Sequence, residues 1–294
     1  MKKISYYIDS LRPHQWLKNF LIFIPLLAAR QIFNEEKIII AGLMFISFSL
    51  VASSVYIFND LVDLSADRAH PRKRFRPLAS KKIEILHGKL LAFFFLIFGI
   101  ILAFLISKTF LNILLIYFLI STVYSLLLKQ KIIIDICVLA ILYTIRIIAG
   151  GIVLNINLSV WLLMFSLFFF FSLAAIKRQA ELVDMIKRKK IKTLNRGYQT
   201  KDLPIISVAG LAAGYISILI MAFYVNSPEV VKLYSEPLAL WGICFVLLFW
   251  ITKISIITHR GYMHDDPIVY AVKDFTSQMC FLLILLFVLI GILF

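Results

Sequence analysis

The chain has 294 residues, of which 62% are hydrophobic and only 16% are charged. Soluble domains carry roughly 25% charged and about 45–50% apolar residues, and the mean hydropathy here is +0.94. This composition excludes a soluble enzyme, a disordered chain and a disulfide scaffold. The net charge of +15 is typical of a membrane protein with basic cytoplasmic loops and an anionic ligand, so we predict no nucleic-acid partner.

Nine apolar stretches follow one another along the chain. A bilayer core of ~30 Å requires ~20 apolar residues in a helix. We therefore predict an all-α fold of nine membrane helices, with residues 1–294 forming a single domain. The predicted spans are residues 16–30, 38–59, 87–107, 110–128, 132–153, 158–177, 204–225, 237–256 and 274–293.

Lysine and arginine concentrate in the N-terminal segment and in the connections after the even-numbered spans, most densely in 68–82 and 177–201. Because basic loops stay on the cytoplasmic side, we predict a multi-pass protein of the cytoplasmic (inner) membrane. Its N-terminus would be cytoplasmic and its C-terminus outside. The same connections hold most of the acidic side chains, so we expect the functional site at the cytoplasmic face.

The connection after the second span begins with three aspartates spaced three and four residues apart, which share one face of a helix. Three like charges on one face repel unless a cation lies among them, and oxygen ligands near a phosphate favour Mg²⁺. Arginines follow at once and can bind phosphate oxygens in a bidentate manner. A solvated polar loop would explain the arginines but not the ordered carboxylates. The candidate catalytic residues are Asp60, Asp63 and Asp67, the candidate metal ligands are these three and Asn59, and the candidate phosphate ligands are Arg72, Lys73 and Arg76.

This segment, NDLVDLSADRAHPRKRFRP at 59–77, resembles the first aspartate-rich motif, NDxxDxxxDxxHPxKxxRP, of the UbiA superfamily of intramembrane prenyltransferases. Five further segments resemble its decaprenyl-phosphate phosphoribosyltransferase branch. They are RPHQWLKN at 12–19, YSLLLKQKIIIDICVLAILYTIRIIAGG at 124–151, KRQAEL at 177–182, RGY at 196–198 and DPIVYAVKD at 266–274.

The resemblance implies that the nine helices surround a central cavity open to the cytoplasm. It also implies a Mg²⁺-dependent transferase of cell envelope biosynthesis. Such an enzyme moves the 5-phosphoribosyl group of phosphoribosyl diphosphate (PRPP) to a polyprenyl phosphate and releases diphosphate. Its partners would be PRPP, polyprenyl phosphate and the lipid bilayer, while homo-oligomerisation, the chain length of the lipid and the downstream glycan are left open.

Aromatic prenyltransferases of the superfamily carry a second aspartate-rich motif, DxxxD, in the connection after the sixth span. Here that position holds Lys177, Arg178, Glu181 and Asp184. This departure favours ligands for a donor phosphate over a second symmetrical metal cluster. Lys177 and Glu181 are four residues apart, however, and could simply pair along a helix.

The resemblance also implies substrate-binding roles for residues outside these two motifs. Arg146 lies deep in the fifth span, where an ionisable group requires a polar cavity or a partner on another helix. Lys129 follows the fourth span, where a lysine is ordinarily an interface anchor. The other candidates are Lys18, Asn19, Tyr198, Asp266 and Lys273.

Two alternatives stay open. An aromatic-acid or quinone-pathway prenyltransferase would share the first motif and the fold. A transporter for an anionic solute belongs to another class and would favour paired half-helices broken by Gly or Pro near the bilayer midplane. We find no such pair in the sequence.

Overall fold

A computed structural model describes residues 2–69, 73–189, 196–263 and 266–293. Within these ranges the protein is built from α-helices and short 3₁₀ segments, without a β-strand. The helices are α1 (Lys2–Leu11), α2 (Ile24–Ala28), α3 (Glu35–Val62), α4 (Leu64–Ala69), α5 (Ile85–Ile106), α6 (Lys108–Leu126), α7 (Ile134–Val153), α8 (Val160–Lys187), α9 (Leu203–Val225), α10 (Pro228–Leu233), α11 (Trp241–His259), α12 (Pro267–Lys273) and α13 (Phe275–Leu293).

Eight segments of the described chain are helical, long and apolar enough to cross a membrane, and they contain α3, α5, α6, α7, α8, α9, α11 and α13. They correspond to the second to ninth predicted spans. The prediction of an all-α polytopic membrane protein is therefore confirmed.

The first predicted span is not a regular membrane helix, so the count of nine is not confirmed. It consists of a 3₁₀ helix, Pro13–Phe23, followed by the five-residue α2. Arg12 precedes it in the left-handed conformation, with φ 54°, and two prolines lie near its ends. A 3₁₀ helix rises ~2.0 Å per residue against ~1.5 Å in an α-helix, so the segment still reaches ~30 Å.

This 3₁₀ segment runs antiparallel to α3. The residues that it contacts on α3 have steadily lower numbers as the segment proceeds: the pairs are Arg12–Asp60, Trp16–Ser53, Asn19–Ser49 and Phe20–Phe45. Asn34 then caps the N-terminus of α3 by accepting a hydrogen bond from the Lys37 amide at 3.1 Å. Between residues 12 and 34 the chain therefore travels almost the whole length of α3, which is ~40 Å at ~1.5 Å per residue.

The helices form two compact units, residues 1–138 with 145–156 and residues 139–144 with 157–294. In the first unit α3 packs against α5 and α6. In the second unit α9 packs against α8 and α11, and Gly210 allows a close approach, because a Cβ there would lie 3.0 Å from the Ala175 Cβ. The single-domain organisation stays a prediction.

Helix α8 extends ten residues beyond the predicted end of the sixth span at residue 177. The prediction that Lys177, Arg178 and Glu181 lie in a connecting loop is therefore wrong. Apolar residues recur at helical spacing through this extension, and Leu182 and Met185 are buried, so packing maintains the helix beyond the membrane-spanning stretch.

Candidate active site

Asp60 lies in the last turn of α3 and is almost fully buried, with 4% of its surface exposed. Its Oδ1 accepts hydrogen bonds from Arg12 Nη2 at 2.5 Å and from Arg76 Nη1 at 3.0 Å. The C-terminal end of a helix carries partial negative charge, so a carboxylate there increases the need for nearby cations. Arg12 precedes the 3₁₀ segment and Arg76 follows α4, so distant parts of the chain converge on this carboxylate.

Asp67 lies in α4 and shares the Arg76 guanidinium with Asp60. Arg76 Nη1 lies 2.6 Å from Asp67 Oδ2. Burial raises the pKa of Asp67 above its ordinary 3.8, while the charge and hydrogen bond of Arg76 and the charge of Lys73 lower it. One arginine therefore does not fully compensate this buried carboxylate.

Asp63 is the C-cap residue of α3 and has a different cation. Lys129 Nζ lies 2.7 Å from its Oδ1 and 2.8 Å from its Oδ2, and 3.2 Å from Asn59 Oδ1. The sequence placed the three aspartates on one helical face. Because α3 ends before Asp63, the structure instead divides them between Arg76 and Lys129.

This division bears on the predicted metal site. Among the described residues, no group of three or more carboxylate, histidine or cysteine side chains lies close enough together to bind a metal ion. The donor chemistry nevertheless fits a hard divalent cation, because Asn59 and the aspartates offer only oxygen atoms. The assignment of Asn59, Asp60, Asp63 and Asp67 to Mg²⁺ stays a prediction.

A second polar group of the first unit lies deeper, within the membrane-spanning stretch. Arg146 is 3% exposed, donates from Nε to Asn19 Oδ1 at 2.8 Å and donates from Nη2 to the Tyr117 hydroxyl at 3.0 Å. Asn19 in turn donates to Ser49 Oγ at 2.9 Å. Ser49 lies eleven residues before Asp60 on α3, or ~16 Å along the helix. The structure therefore does not bring Asn19 and Arg146 to the aspartates.

The second unit carries the cations predicted for a donor phosphate. Lys177 Nζ on α8 lies 2.9 Å from Asp266 Oδ2. Arg178 is almost completely buried and pairs with Glu181 one turn further along. Arg196 Nε lies 3.3 Å from the same carboxylate. The alternative pairing of Lys177 with Glu181 is not observed: Lys177 pairs with Asp266, and Glu181 pairs with Arg178 and Arg196.

The remaining candidates occupy varied environments. Lys18 is buried in the 3₁₀ segment and Tyr198 is only 1% exposed. Lys73 is half-buried beside the aspartates, and Lys273 is exposed at the end of α12. Arg72 lies outside the described residues.

Sequence reasoning missed two residues of the first unit that contact the predicted site residues. Arg12 was not among the candidate site residues, although its position just before the 3₁₀ segment brings it to Asp60. Tyr117 lies in an apolar span and gave no signal, yet its hydroxyl binds Arg146 and its ring centroid lies 4.7 Å from the Arg146 guanidinium.

Comparison with known proteins assigns the chain to a family. Residues 20–260 match the model of the UbiA prenyltransferase family, and this match covers most of the chain. The chain belongs to the UbiA prenyltransferase family. It is therefore an integral membrane protein and a transferase.

Several relatives share this fold family at moderate identity. The chain is 37% identical over 272 residues to the uncharacterized protein y4nM of Sinorhizobium fredii, covering 92% of this chain but about half of that protein, 53%. It is 34% identical over 278 residues to nodulation protein NoeC of Azorhizobium caulinodans, covering 94% and 90% of the two chains. It is 29% identical over 286 residues to decaprenyl-phosphate phosphoribosyltransferase of Mycolicibacterium smegmatis, covering 95% and 90%.

Solved structures agree on the fold. A UbiA homolog from Archaeoglobus fulgidus bound to GPP and Mg²⁺ superposes with a TM-score of 0.72 at 16% identity, over 96% of this chain and 99% of that one. A digeranylgeranylglyceryl phosphate synthase gives 0.65 at 19% identity, over 99% of both chains. At such identities the likeness establishes the fold alone.

Proposed function

We propose that this protein transfers the 5-phosphoribosyl group of PRPP to a polyprenyl phosphate and releases diphosphate. The observation that carries the proposal is the basic pair on α8 at the position where aromatic prenyltransferases of the superfamily have a second aspartate motif: Lys177 pairs with Asp266 and Arg178 with Glu181. The M. smegmatis relative, which carries the phosphoribosyltransferase name, aligns over nearly the whole chain.

The chemistry assigns roles to the residues of the first unit. The bond between ribose C1 and the diphosphate oxygen breaks, and an oxygen of the lipid phosphate forms a new bond to C1. Arg76, with a quarter of its side chain exposed (26%), has five donors and can bind oxygens of the departing diphosphate while retaining its aspartates. The lipid phosphate is already anionic, so it requires orientation and not a general base.

Mg²⁺ is the proposed cofactor, held by Asn59, Asp60, Asp63 and Asp67. When bound, it supplies positive charge that neutralises the leaving diphosphate. Arg12 and Lys129 would orient the carboxylates of Asp60 and Asp63, and fixed orientation is what ligand carboxylates require.

The proposed substrate ligands outside this cluster are of two kinds. Lys177, Arg178, Glu181, Tyr198, Asp266 and Lys273 are assigned to the donor, where the 5-phosphate requires a cation of its own. The second kind comprises Lys18, Asn19 and Arg146, which are proposed as substrate ligands without assignment to the donor. Arg146 also has a structural role, because it is hydrogen-bonded to Asn19 and Tyr117.

The proposed setting is the cytoplasmic membrane in cell envelope biosynthesis, with the N-terminus and the aspartates on the cytoplasmic side and the C-terminus outside. The polar donor is cytoplasmic, while the lipid acceptor stays in the bilayer. Family membership supports a transferase and not the anionic-solute transporter. An aromatic-acid or quinone-pathway prenyltransferase is the second candidate, because a structural neighbour binds GPP and Mg²⁺.

The test uses purified protein with labelled PRPP, Mg²⁺ and polyprenyl phosphates of several lengths. We expect labelled phosphoribosyl lipid and release of diphosphate. Lys177→Ala should weaken PRPP binding by roughly tenfold to a hundredfold, the value of one charge-assisted contact. The matched control is Arg188→Ala, which breaks a similar pair with Asp184 on the same helix. Tight Mg²⁺-dependent binding of geranyl diphosphate with none of PRPP would assign the protein to the aromatic branch.

A further inference from the structure

Lys253 is a cation inside an apolar membrane helix. It lies in α11, six residues before the end of that helix at His259. An ionisable side chain in such a position is costly unless it has a partner. Its Nζ lies 2.7 Å from Asp274 Oδ2, and the two side chains are only 21% and 18% exposed.

Asp274 is held by several donors besides Lys253. Its Oδ2 accepts from the Ser277 amide and from Ser277 Oγ, both at 2.8 Å, and its Oδ1 accepts from the Tyr270 hydroxyl at 3.2 Å. Trp250, one turn before Lys253 on α11, donates to Ser277 Oγ at 2.9 Å. Burial disfavours the charged carboxylate, but the Lys253 and Ser277 hydrogen bonds outweigh it and lower the pKa of Asp274 to about 2.

Asp274 is the C-cap residue of α12, and Asp266 is the N-cap residue at the other end. Asp266 Oδ1 accepts from the Ile268 amide at 3.2 Å, while its Oδ2 accepts from Lys177 at 2.9 Å. Helix α12 is thus held between two lysine–aspartate pairs, one from α8 and one from α11. A helix of seven residues is not stable alone, so these end contacts help to hold it in place, together with its packing against α8 and α13.

We infer that Lys253 and Asp274 form a positioning pair for the donor site. Through α12 they hold Asp266 against Lys177 and place Lys273, so that a donor phosphate meets cations already in position. This inference rests on the proposed function, because Lys177 and Lys273 are assigned there to the donor. Neither Lys253 nor Asp274 needs to touch the substrate.

The experiment compares Lys253→Met with wild type in steady-state kinetics. Loss of preorganisation should raise the KM for PRPP roughly tenfold, while kcat and the KM for polyprenyl phosphate stay about unchanged. Lys253→Arg, which keeps the charge, should recover most of the loss. Tyr270→Phe removes one weaker hydrogen bond to Asp274 and should raise the same KM roughly threefold, so it carries the test if Lys253→Met does not fold.

The control is Thr252→Val, at the residue that precedes Lys253 on α11. It removes a hydrogen bond of 3.0 Å to the Tyr215 hydroxyl on α9 and leaves α12 untouched. A purely structural role for Lys253 predicts that Lys253→Met and Thr252→Val both lower the Tm without a selective change in the donor KM. That result, or an equal loss for both substrates, would overturn the inference.

The two proposals fail in different ways. If wild type converts PRPP and the donor KM of the variants is unchanged, the positioning pair is wrong and the proposed function stands. If wild type uses geranyl diphosphate and not PRPP, the proposed function is wrong. A selective rise in the geranyl diphosphate KM of Lys253→Met would then still support the positioning pair.

Discussion

Lys129 holds Asp63 with one ammonium group, whose Nζ lies within hydrogen-bonding distance of both carboxylate oxygens, at 2.7 and 2.8 Å. The lysine is 5% exposed. A snorkelling interface anchor would instead extend its charge into water. Lys129 therefore connects the end of α6 to the end of α3 and fixes the direction of the Asp63 carboxylate.

We expect Lys129→Met to lower turnover roughly tenfold to a hundredfold, because it removes a charge-assisted contact from Asp63. Lys129→Arg, which restores a cation, should be affected less. Lys131→Met is the control, since Lys131 is two residues away and exposed. Activity of Lys129→Met equal to that of the control would show that the contact has no part in turnover.

Asp60→Asn and Asp63→Asn should each reduce turnover by orders of magnitude, because both remove a proposed metal ligand. Both variants should also lower the Tm, because each breaks an ion pair that has a buried member, which typically costs ~3 kcal/mol or more. Asp60→Asn removes the carboxylate of Arg12 and one of the two that Arg76 contacts, and Asp63→Asn removes that of Lys129, whose side chain is 6% exposed. Thermal unfolding and Mg²⁺-dependent activity are measured side by side. Near-normal turnover of either variant at limiting Mg²⁺ would refute the metal assignment.

The sequence predicted that the aspartates and Arg76 form one polar cluster at the end of α3, but not how they pair. Spacing alone placed Asp60, Asp63 and Asp67 on one face, since it could not show that the helix ends at Val62. Arg12 was missed because its partner is 48 residues away and its left-handed backbone has no signature in the local sequence.

Hydropathy located eight spans that the structure shows as long apolar helices, but it did not predict the 3₁₀ conformation of the first span. A hydropathy profile identifies stretches whose side chains suit a bilayer, and residues 16–30 form such a stretch. The profile does not distinguish a 3₁₀ helix from an α-helix. Here the 3₁₀ segment packs against Ser49 and Ser53 on α3 and against Gly150 on α7.

Gly150→Ala should destabilise the protein, because a Cβ at this position would lie 2.2 Å from the backbone carbonyl oxygen of Ile22 in the 3₁₀ segment. Overpacking of this kind costs ~1–3 kcal/mol. Gly42→Ala on α3 is the matched control: its Cβ would have no neighbour within 4 Å, so it should be neutral or stabilising by ~0.5–1 kcal/mol. Thermal unfolding in detergent checks both. Equal stability of the two variants would contradict the close crossing at Gly150.

Asp274 should make stability depend on acid pH. Its pKa is lowered from 3.8 to about 2 in the folded protein, so folding favours the ionised form. The resulting stabilisation is fully present above about pH 4 and is lost as the pH falls towards 2. Wild type should therefore lose more stability than Asp274→Asn over this window, as measured by thermal unfolding in detergent. Parallel pH curves would show that Asp274 gains nothing from its partners.

The two ends of α3 should face opposite sides of the membrane. Tyr6, Tyr7 and Leu11 of α1 pack with Ile57, Leu78 and Ile83, so α1 lies beside the C-terminal end of α3. Phe33, which is 91% exposed, lies beside the N-terminal end. Single cysteines at the exposed residues Asp9 and Glu84 should therefore react from the cytoplasmic face, and one at Phe33 only from outside.

The background for these labels lacks the three free native thiols, Cys137, Cys244 and Cys280. An impermeant maleimide is applied to sealed vesicles of each orientation. Reaction of Asp9→Cys and Phe33→Cys from the same face would mean that the 3₁₀ segment does not cross the bilayer, even though it follows α3 for most of its length. Reaction from opposite faces establishes a ninth crossing made of 3₁₀ helix and the short α2.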